Sequence, residues 1–234
     1  MKKESIIYGV SLGPGDPELI TLKGLKILKS VDKIYFPGSL FANGEKSSYS
    51  LGILNELPLD ANKFEGYYLD MDVERSKVKP VYEETFVKIK KEHEQGLKIA
   101  IVSEGDLSTF SSFSYLLEKI QKFELPVELI PGITSYNLAA SENKIPLSLQ
   151  NERVVILPRV QTVDELENAL TNFDTVVLLK ISSVKSVLEE VLAKKKWTIS
   201  YGERLGTKKQ FISSNWSDFM HREIPYFSLL IIRK

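Results

Sequence analysis

In KIAIVSEGDLSTFSSFSYLLEKI, residues 98–120, an apolar run stops abruptly at Ser103, Glu104, Gly105 and Asp106. A short β-branched run bounded by turn residues reads as a buried strand. The hydroxyl-rich stretch that follows passes into helix-patterned sequence reaching about Phe123, and residues 127–130 read as the next strand. Strand, corner, helix and strand in this order form a unit of parallel sheet. The corner carries a glycine, two carboxylates and several hydroxyls, but no lysine.

Upstream, the same alternation repeats. Residues 6–12 read as a strand that ends in Gly13, Pro14, Gly15, Asp16 and Pro17. Asp16 is expected to cap a helix with Pro17 at its first position and an apolar stripe of Leu19, Leu22, Leu25 and Leu28. A second strand covers 33–36 and is expected to stop at Pro37 and Gly38. A helix over 46–57, a weaker strand over 64–69 and a charged helix over 80–95 follow, the last closed by Gly96 as C-cap. Downstream, strand signals fall at 153–157, 175–179, 198–203, 209–213 and 226–232, the last three with little helix between them. The expected architecture is α/β in two domains. Residues 1–132 form a parallel sheet with helices on both faces, and residues 133–234 form a mixed sheet.

Composition narrows the function. The 234 residues carry 31 Lys+Arg against 31 Asp+Glu, a formal net charge of zero, which argues against a general nucleic-acid binder. There is no cysteine, so thiol catalysis and cysteine-ligated zinc are excluded. His93 and His221 are too few for a histidine metal cluster, and no metal site is expected. The N-terminal Met-Lys-Lys is followed by an apolar run too short for a signal peptide, and no apolar stretch approaches the ~18 residues of a membrane span. The expectation is a cytoplasmic protein with no membrane partner.

Three glycine-bearing corners close successive strands: Gly13 to Asp16, Glu104 to Asp106, and Pro131 to Thr134. In open α/β sheets ligands bind beyond the carboxyl ends of the strands. These corners match neither the phosphate loop Gly-x-x-x-x-Gly-Lys-Ser/Thr nor Gly-x-Gly-x-x-Gly, and Pro14 removes an N–H that a phosphate would use. Glu104 and Asp106 would repel a pyrophosphate. A ligand with a cationic centre and a diol suits them, and S-adenosylmethionine (SAM) is such a ligand.

Four stretches, VSLGPGDPELITLK (10–23), EGD (104–106), PGITS (131–135) and YGERLGT (201–207), together resemble the signatures of the tetrapyrrole methylases, SAM-dependent enzymes of cobalamin and sirohaem biosynthesis. Within that family, IYFP (34–37) and EGDLSTFSSFSYLL (104–117) are most similar to the branch that methylates C20 of precorrin-2 or cobalt-factor II. YLDMD (68–72) matches that branch only in part. The resemblance implies two α/β domains with SAM and substrate in the cleft between them, and a homodimer. It implies that Pro14, Glu104, Gly105, Asp106, Thr109, Thr134 and Ser135 border SAM, with backbone near Lys180 and Gly206 closing over adenine. Tyr35, Pro37 and Ser39 are expected along the substrate trough, with a buried strand end as the competing explanation.

The chain departs from the family pattern in two places. Ser11 stands where glycine is usual, and Leu107 where proline usually follows Gly-Asp. Leu107 restores a backbone N–H. Phe36 replaces the aspartate that sirohaem-forming relatives carry, so no catalytic base transfers there. Asp70 and Asp72 are candidates for a base that removes the C20 proton, although carboxylates at such positions are more often solvated. Two basic clusters, Arg75 with Lys77 and Lys79, and Arg204 with Lys208 and Lys209, are the candidates for meeting a polycarboxylate substrate, although charge runs are more often solvated faces. Other readings are another member of the same superfamily, such as a diphthine synthase or a ribosomal-RNA ribose methyltransferase, and a non-catalytic tetrapyrrole-binding protein.

Overall fold

The computed structural model describes residues 5–70, 78–194 and 197–234. Asp72, Arg75 and Lys77 lie outside them. The chain divides into two units, Met1–Thr134 and Ser135–Lys234. In the first, the elements run β1 (Ile7–Ser11), α1 (Leu22–Ser30), β2 (Lys33–Leu40), β3 (Lys46–Ser47), α2 (Tyr49–Glu56), β4 (Phe64–Asp70), α3 (Val78–Glu94), β5 (Ile99–Ser103), α4 (Ser114–Lys122) and β6 (Val127–Ile130). The five longer strands form a parallel sheet ordered β4-β2-β5-β1-β6, and β3 pairs antiparallel with the end of β2.

Strand β5 is buried at all five positions, as a central parallel strand should be. Its side chains alternate between two cores. Ile99 and Ile101 pack with Tyr82, Phe86 and Ile89 of α3 and with Leu116 and Ile120 of α4. Ala100 and Val102 pack with Leu28 of α1 and with Ile53 and Leu54 of α2. Helix α3 is largely charged and owes its place to Tyr82, Phe86 and Ile89, spaced four and three residues apart. Burying each contributes about 1.5–3 kcal/mol.

Three local expectations are corrected. Asp16 does cap a turn, its Oδ1 accepting from Glu18 N at 2.8 Å, but the turn is a single 3-10 turn, Pro17–Leu19. The α-helix starts afresh at Leu22, where Thr21 Oγ1 accepts from Gly24 N at 3.0 Å. This second cap resets the helical phase, so Leu22 faces solvent at 78% exposure while Leu28 is buried. Strand β2 runs through Pro37 to Leu40 instead of stopping. Its pairing with β5 ends at Tyr35 and that with β3 begins at Ser39, so the missing N–H of Pro37 costs no ladder bond on that side. Helix α2 begins at Tyr49, later than expected, because Ser48 Oγ accepts from Leu51 N at 3.0 Å and Lys46–Ser47 pair as a strand. Gly96 ends α3 at φ +90° as expected, its N–H donating to His93 O at 2.8 Å.

The second unit contains α5 (Ser135–Glu142), β7 (Val154–Leu157), α6 (Val163–Asn172), β8 (Thr175–Leu179), α7 (Lys185–Ala193), β9 (Thr198–Glu203), β10 (Phe211–Ser213), α8 (Trp216–Met220) and β11 (Ser228–Arg233). Its sheet is ordered β10-β9-β11-β8-β7, with only β7 and β8 parallel. The mixed sheet anticipated from the closely spaced late strands is present. Trp197 and Trp216 flank its core as packing residues. Among the described residues, no helix is long and apolar enough to cross a membrane.

Candidate functional site

Strands β1 and β5 are neighbours and parallel, yet the helices after them leave on opposite faces. Leu28 of α1 packs in one core, and Leu116 and Ile120 of α4 pack in the other. This divergence is a topological switch point, the place where open α/β sheets bind ligands. The two corners there are joined main chain to main chain. Gly13 N–H donates to Gly105 O at 3.1 Å, and Gly105 N–H donates to Gly13 O at 2.6 Å. Both glycines take left-handed backbone, φ +82° and +67°, which side chains disfavour. A Cβ on Gly105 would meet nothing within 4 Å, so its far side is open.

Asp106 fastens the third corner. Its Oδ2 accepts from Gly132 N at 2.8 Å and sits 3.5 Å from Ser11 Oγ; its Oδ1 accepts from Ser108 N at 2.9 Å and from the Ser108 hydroxyl. Burial alone would raise this carboxyl's pKa. The donors from Ser108, Gly132 and Ser11 outweigh it and hold the pKa below the usual aspartate range. The sequence suggests two carboxylates facing a cation, whereas Asp106 is turned inward and is 9% exposed. Glu104 is only half-buried. One of its oxygens accepts from Ser50 Oγ at 2.5 Å, and the other makes no hydrogen bond among the described residues. Helix α2 thus supports the rim, because Tyr49 also donates its hydroxyl to Pro14 O at 3.2 Å. The sequence reading missed Tyr49 and Ser50. Their signal was a Ser-Tyr-Ser run at a helix start, of which Ser50 is fully buried.

The structure therefore brings Pro14, Glu104, Gly105, Asp106 and Thr109 to one rim, with Thr109 N–H closing a turn onto Asp106 O at 3.2 Å. Thr134 ends the first unit and Ser135 opens α5. In the second unit, Lys180 and Gly206 lie on corners fastened beside the start of β11. Lys180 N–H donates to Ser228 O and Arg204 N–H to Phe227 O, both at 2.9 Å. Lys180 is left-handed at φ +56° and its Nζ lies 5.3 Å from the Tyr226 ring centre. Gly206 has φ +75° and donates its N–H to Gln210 Oε1 at 2.7 Å.

Tyr35 does not join the rim. It is 2% exposed and its hydroxyl donates to Glu92 Oε2 of α3 at 2.7 Å. Pro37 and Ser39 are half-buried on the extended end of β2, with Pro37 O accepting from Ser48 Oγ at 2.5 Å. Phe36 is core, edge-on to Tyr68. Lys79, Lys208 and Lys209 are exposed, whereas Arg204 lies 4.0 Å from Glu203.

The YGERLGT stretch builds a second network. Glu203, almost fully buried, accepts from Tyr201 OH at 2.5 Å and from Arg222 Nη2 at 3.2 Å. Tyr201 stacks on Phe219 with ring centres 4.2 Å apart. Burial first, then the Glu203 hydrogen bond, push the Tyr201 phenol far above its ordinary pKa, so it stays a donor.

The family model described as tetrapyrrole (corrin/porphyrin) methylases matches residues 6–215. The chain belongs to this family. It is 29% identical over 234 residues to a probable cobalt-precorrin-2 C(20)-methyltransferase of Methanocaldococcus jannaschii, covering 97% of this chain and 96% of the relative. It is 27% identical over 238 residues to a precorrin-2 C(20)-methyltransferase of Sinorhizobium sp, covering 97% and 94%. Its fold matches the crystal structure of a uroporphyrin-III C-methyl transferase from Thermus thermophilus complexed with S-adenyl homocysteine. The TM-score is 0.64 at 19% identity, covering 98% of each chain.

Proposed function

We propose that this methylase transfers a methyl group from SAM to C20 of precorrin-2 or its cobalt complex in cobalamin biosynthesis. The observation that carries the proposal is the end-to-end likeness to two relatives that both bear the C20-methyltransferase name, one with cobalt and one without. The rim supports SAM as donor: it offers an open space beside a glycine whose conformation disfavours other residues, a carboxylate with one oxygen uncommitted among the described residues, and no lysine in its corners.

When bound, SAM supplies an electrophilic methyl on a cationic sulfur. The chain's own residues orient and enclose. Gly13 and Gly105 let the backbone approach closely, Glu104 places negative charge beside the cation, and Pro14 and Thr109 border the rest. Thr134, Ser135 and the corners of Lys180 and Gly206 are proposed to complete the SAM contacts. Pro37 and Ser39 are the proposed substrate contacts on the first sheet; the Tyr35 side chain is committed to the core. Catalysis here is alignment of donor with nucleophilic meso carbon and exclusion of water. In the balanced step a C–C bond forms at C20, the S–CH3 bond breaks, and C20 loses its proton.

Mass spectrometry of the tetrapyrrole after anaerobic incubation with SAM tests this, using reduced sirohydrochlorin with and without cobalt. A gain of one CH2 unit is expected, and the preferred form names the route. No gain with either form refutes the C20 assignment. Sedimentation of the 26.5 kDa chain tests the homodimer that the resemblance implies.

A further inference from the structure

The two departures from the family pattern meet in space. Ser11 ends β1 and Leu107 lies 96 residues later, yet Leu107 N–H donates to Ser11 Oγ at 3.0 Å, and the same hydroxyl lies 3.5 Å from Asp106 Oδ2. Ser11 is 0% exposed and Leu107 6%, and the bond between them is buried. A buried N–H without an acceptor is costly, and one supplied with an acceptor is not. Leu107 is the second residue of the turn closed by Thr109 N–H onto Asp106 O, a position where proline is favoured and brings no N–H. With proline there, no acceptor is needed at position 11. With leucine, the acceptor has to come from β1. Ser11 also crowds the third corner, since a Cβ on Gly132 would lie 2.5 Å from Ser11 Cβ.

We infer that Ser11 is a positioning residue: its hydroxyl takes up the Leu107 amide and holds the Glu104–Asp106 corner against β1 and Gly132, fixing the rim for SAM. This rests on the SAM reading above. Ser11 works as one half of a pair, replacing by a cross-strand hydrogen bond the stiffness that a proline ring would give the turn.

The test is SAM calorimetry on the full chain and its Ser11→Ala, Leu107→Pro and Ser11→Ala/Leu107→Pro variants, with urea midpoints measured beside it. Ser11→Ala is expected to weaken SAM binding tenfold or more and to speed hydrogen exchange at the Leu107 amide. Leu107→Pro is expected to lower the urea midpoint and to weaken SAM binding while Ser11 is present, because the ring's Cδ takes the place of the N–H that meets Ser11 Oγ at 3.0 Å. The double variant is expected to return to within threefold of the parent in affinity, because the orphaned donor is gone and alanine leaves room for the ring. A mere filling role for Ser11 predicts no such rescue. Affinity that stays low in the double variant, or that never falls in Ser11→Ala, overturns the inference and leaves the SAM reading standing. A parent chain that does not bind SAM overturns both. If Ser11→Ala fails to fold, a folded double variant with near-parent affinity still supports the pairing, and one with weakened affinity overturns it.

Discussion

Replacing Tyr201 with phenylalanine removes one oxygen and leaves the stack on Phe219 in place. Glu203 then loses the phenol at 2.5 Å and keeps Arg222 at 3.2 Å. A hydrogen bond to a charged group contributes about 1.5–3 kcal/mol, whereas an ion pair to an arginine as exposed as Arg222 contributes about 0–1 kcal/mol. Tyr201→Phe is therefore expected to cost about 2 kcal/mol. Glu203→Ala strips the acceptor from a hydroxyl on a fully buried ring, at about 1–3 kcal/mol, and takes the carboxylate from two half-exposed arginines, which adds about 0–1 kcal/mol. Combining the two changes should recover about 1.5 kcal/mol of their sum, since both delete the same bond. Urea denaturation followed by circular dichroism measures all four proteins, with midpoints compared at constant slope. Because the phenol stays protonated, the Tyr201→Phe penalty should be flat from about pH 6 to pH 9. Strict additivity, to within about 0.5 kcal/mol, would refute the reasoning.

Asp106→Asn should weaken SAM binding at least tenfold by loosening Gly132, as calorimetry reads directly. Its pH dependence has a definite sign. A carboxyl whose folded pKa is depressed contributes stability above its unfolded value, near 3.9, and loses it as pH falls through the lower folded value. Parent and variant should differ at neutral pH and converge only below that value. Convergence already near pH 5 would contradict the inward-facing carboxylate. Phe110 is left-handed at φ +53° and half-exposed, so Phe110→Gly should raise stability by about 0.5–1 kcal/mol; a loss in thermal midpoint would show that the ring is held by unrecognised packing. Lys180→Gly should keep SAM affinity within twofold, since the proposed contact is through backbone in a left-handed conformation. A tenfold loss would give the ammonium a role of its own.

Strand β5 and its corner were legible because burial on both faces leaves an unbroken apolar run that only a turn can end. The late strands were legible for the same reason: Thr175–Leu179 and Thr198–Glu203 are where the pattern put them. The start of α1 was not. Asp16-Pro17 and Thr21 are both competent caps, and which one begins the α-helix depends on Gly24 packing beside Val10, a contact between elements. Helix α6 carried a readable capping box, Thr162 with Glu165, and an apolar stripe of Leu166, Ala169 and Leu170, overlooked among the strands. At the site, residue types located the rim but could not say which carboxylate faces outward. Which way each carboxylate turns is set by its neighbours, and these, Gly132 for Asp106 and Ser50 for Glu104, come from distant parts of the chain. Tyr35 shares a face of β2 with Pro37 and Ser39 but packs where α3 covers the strand, and its hydroxyl meets Glu92 there; the sequence does not show where that cover ends.

The reciprocal bond between Gly13 and Gly105 has a consequence for how such a chain drifts over generations. Main-chain atoms cannot be exchanged by substitution, so a rim fastened peptide to peptide asks of its genes only that two positions keep a rare conformation. That bond does not depend on which side chains lie beside it, and the Ser11–Leu107 bond is one arrangement found there. A fold secured in this way can retain its architecture when fewer than one residue in five still matches a structural neighbour.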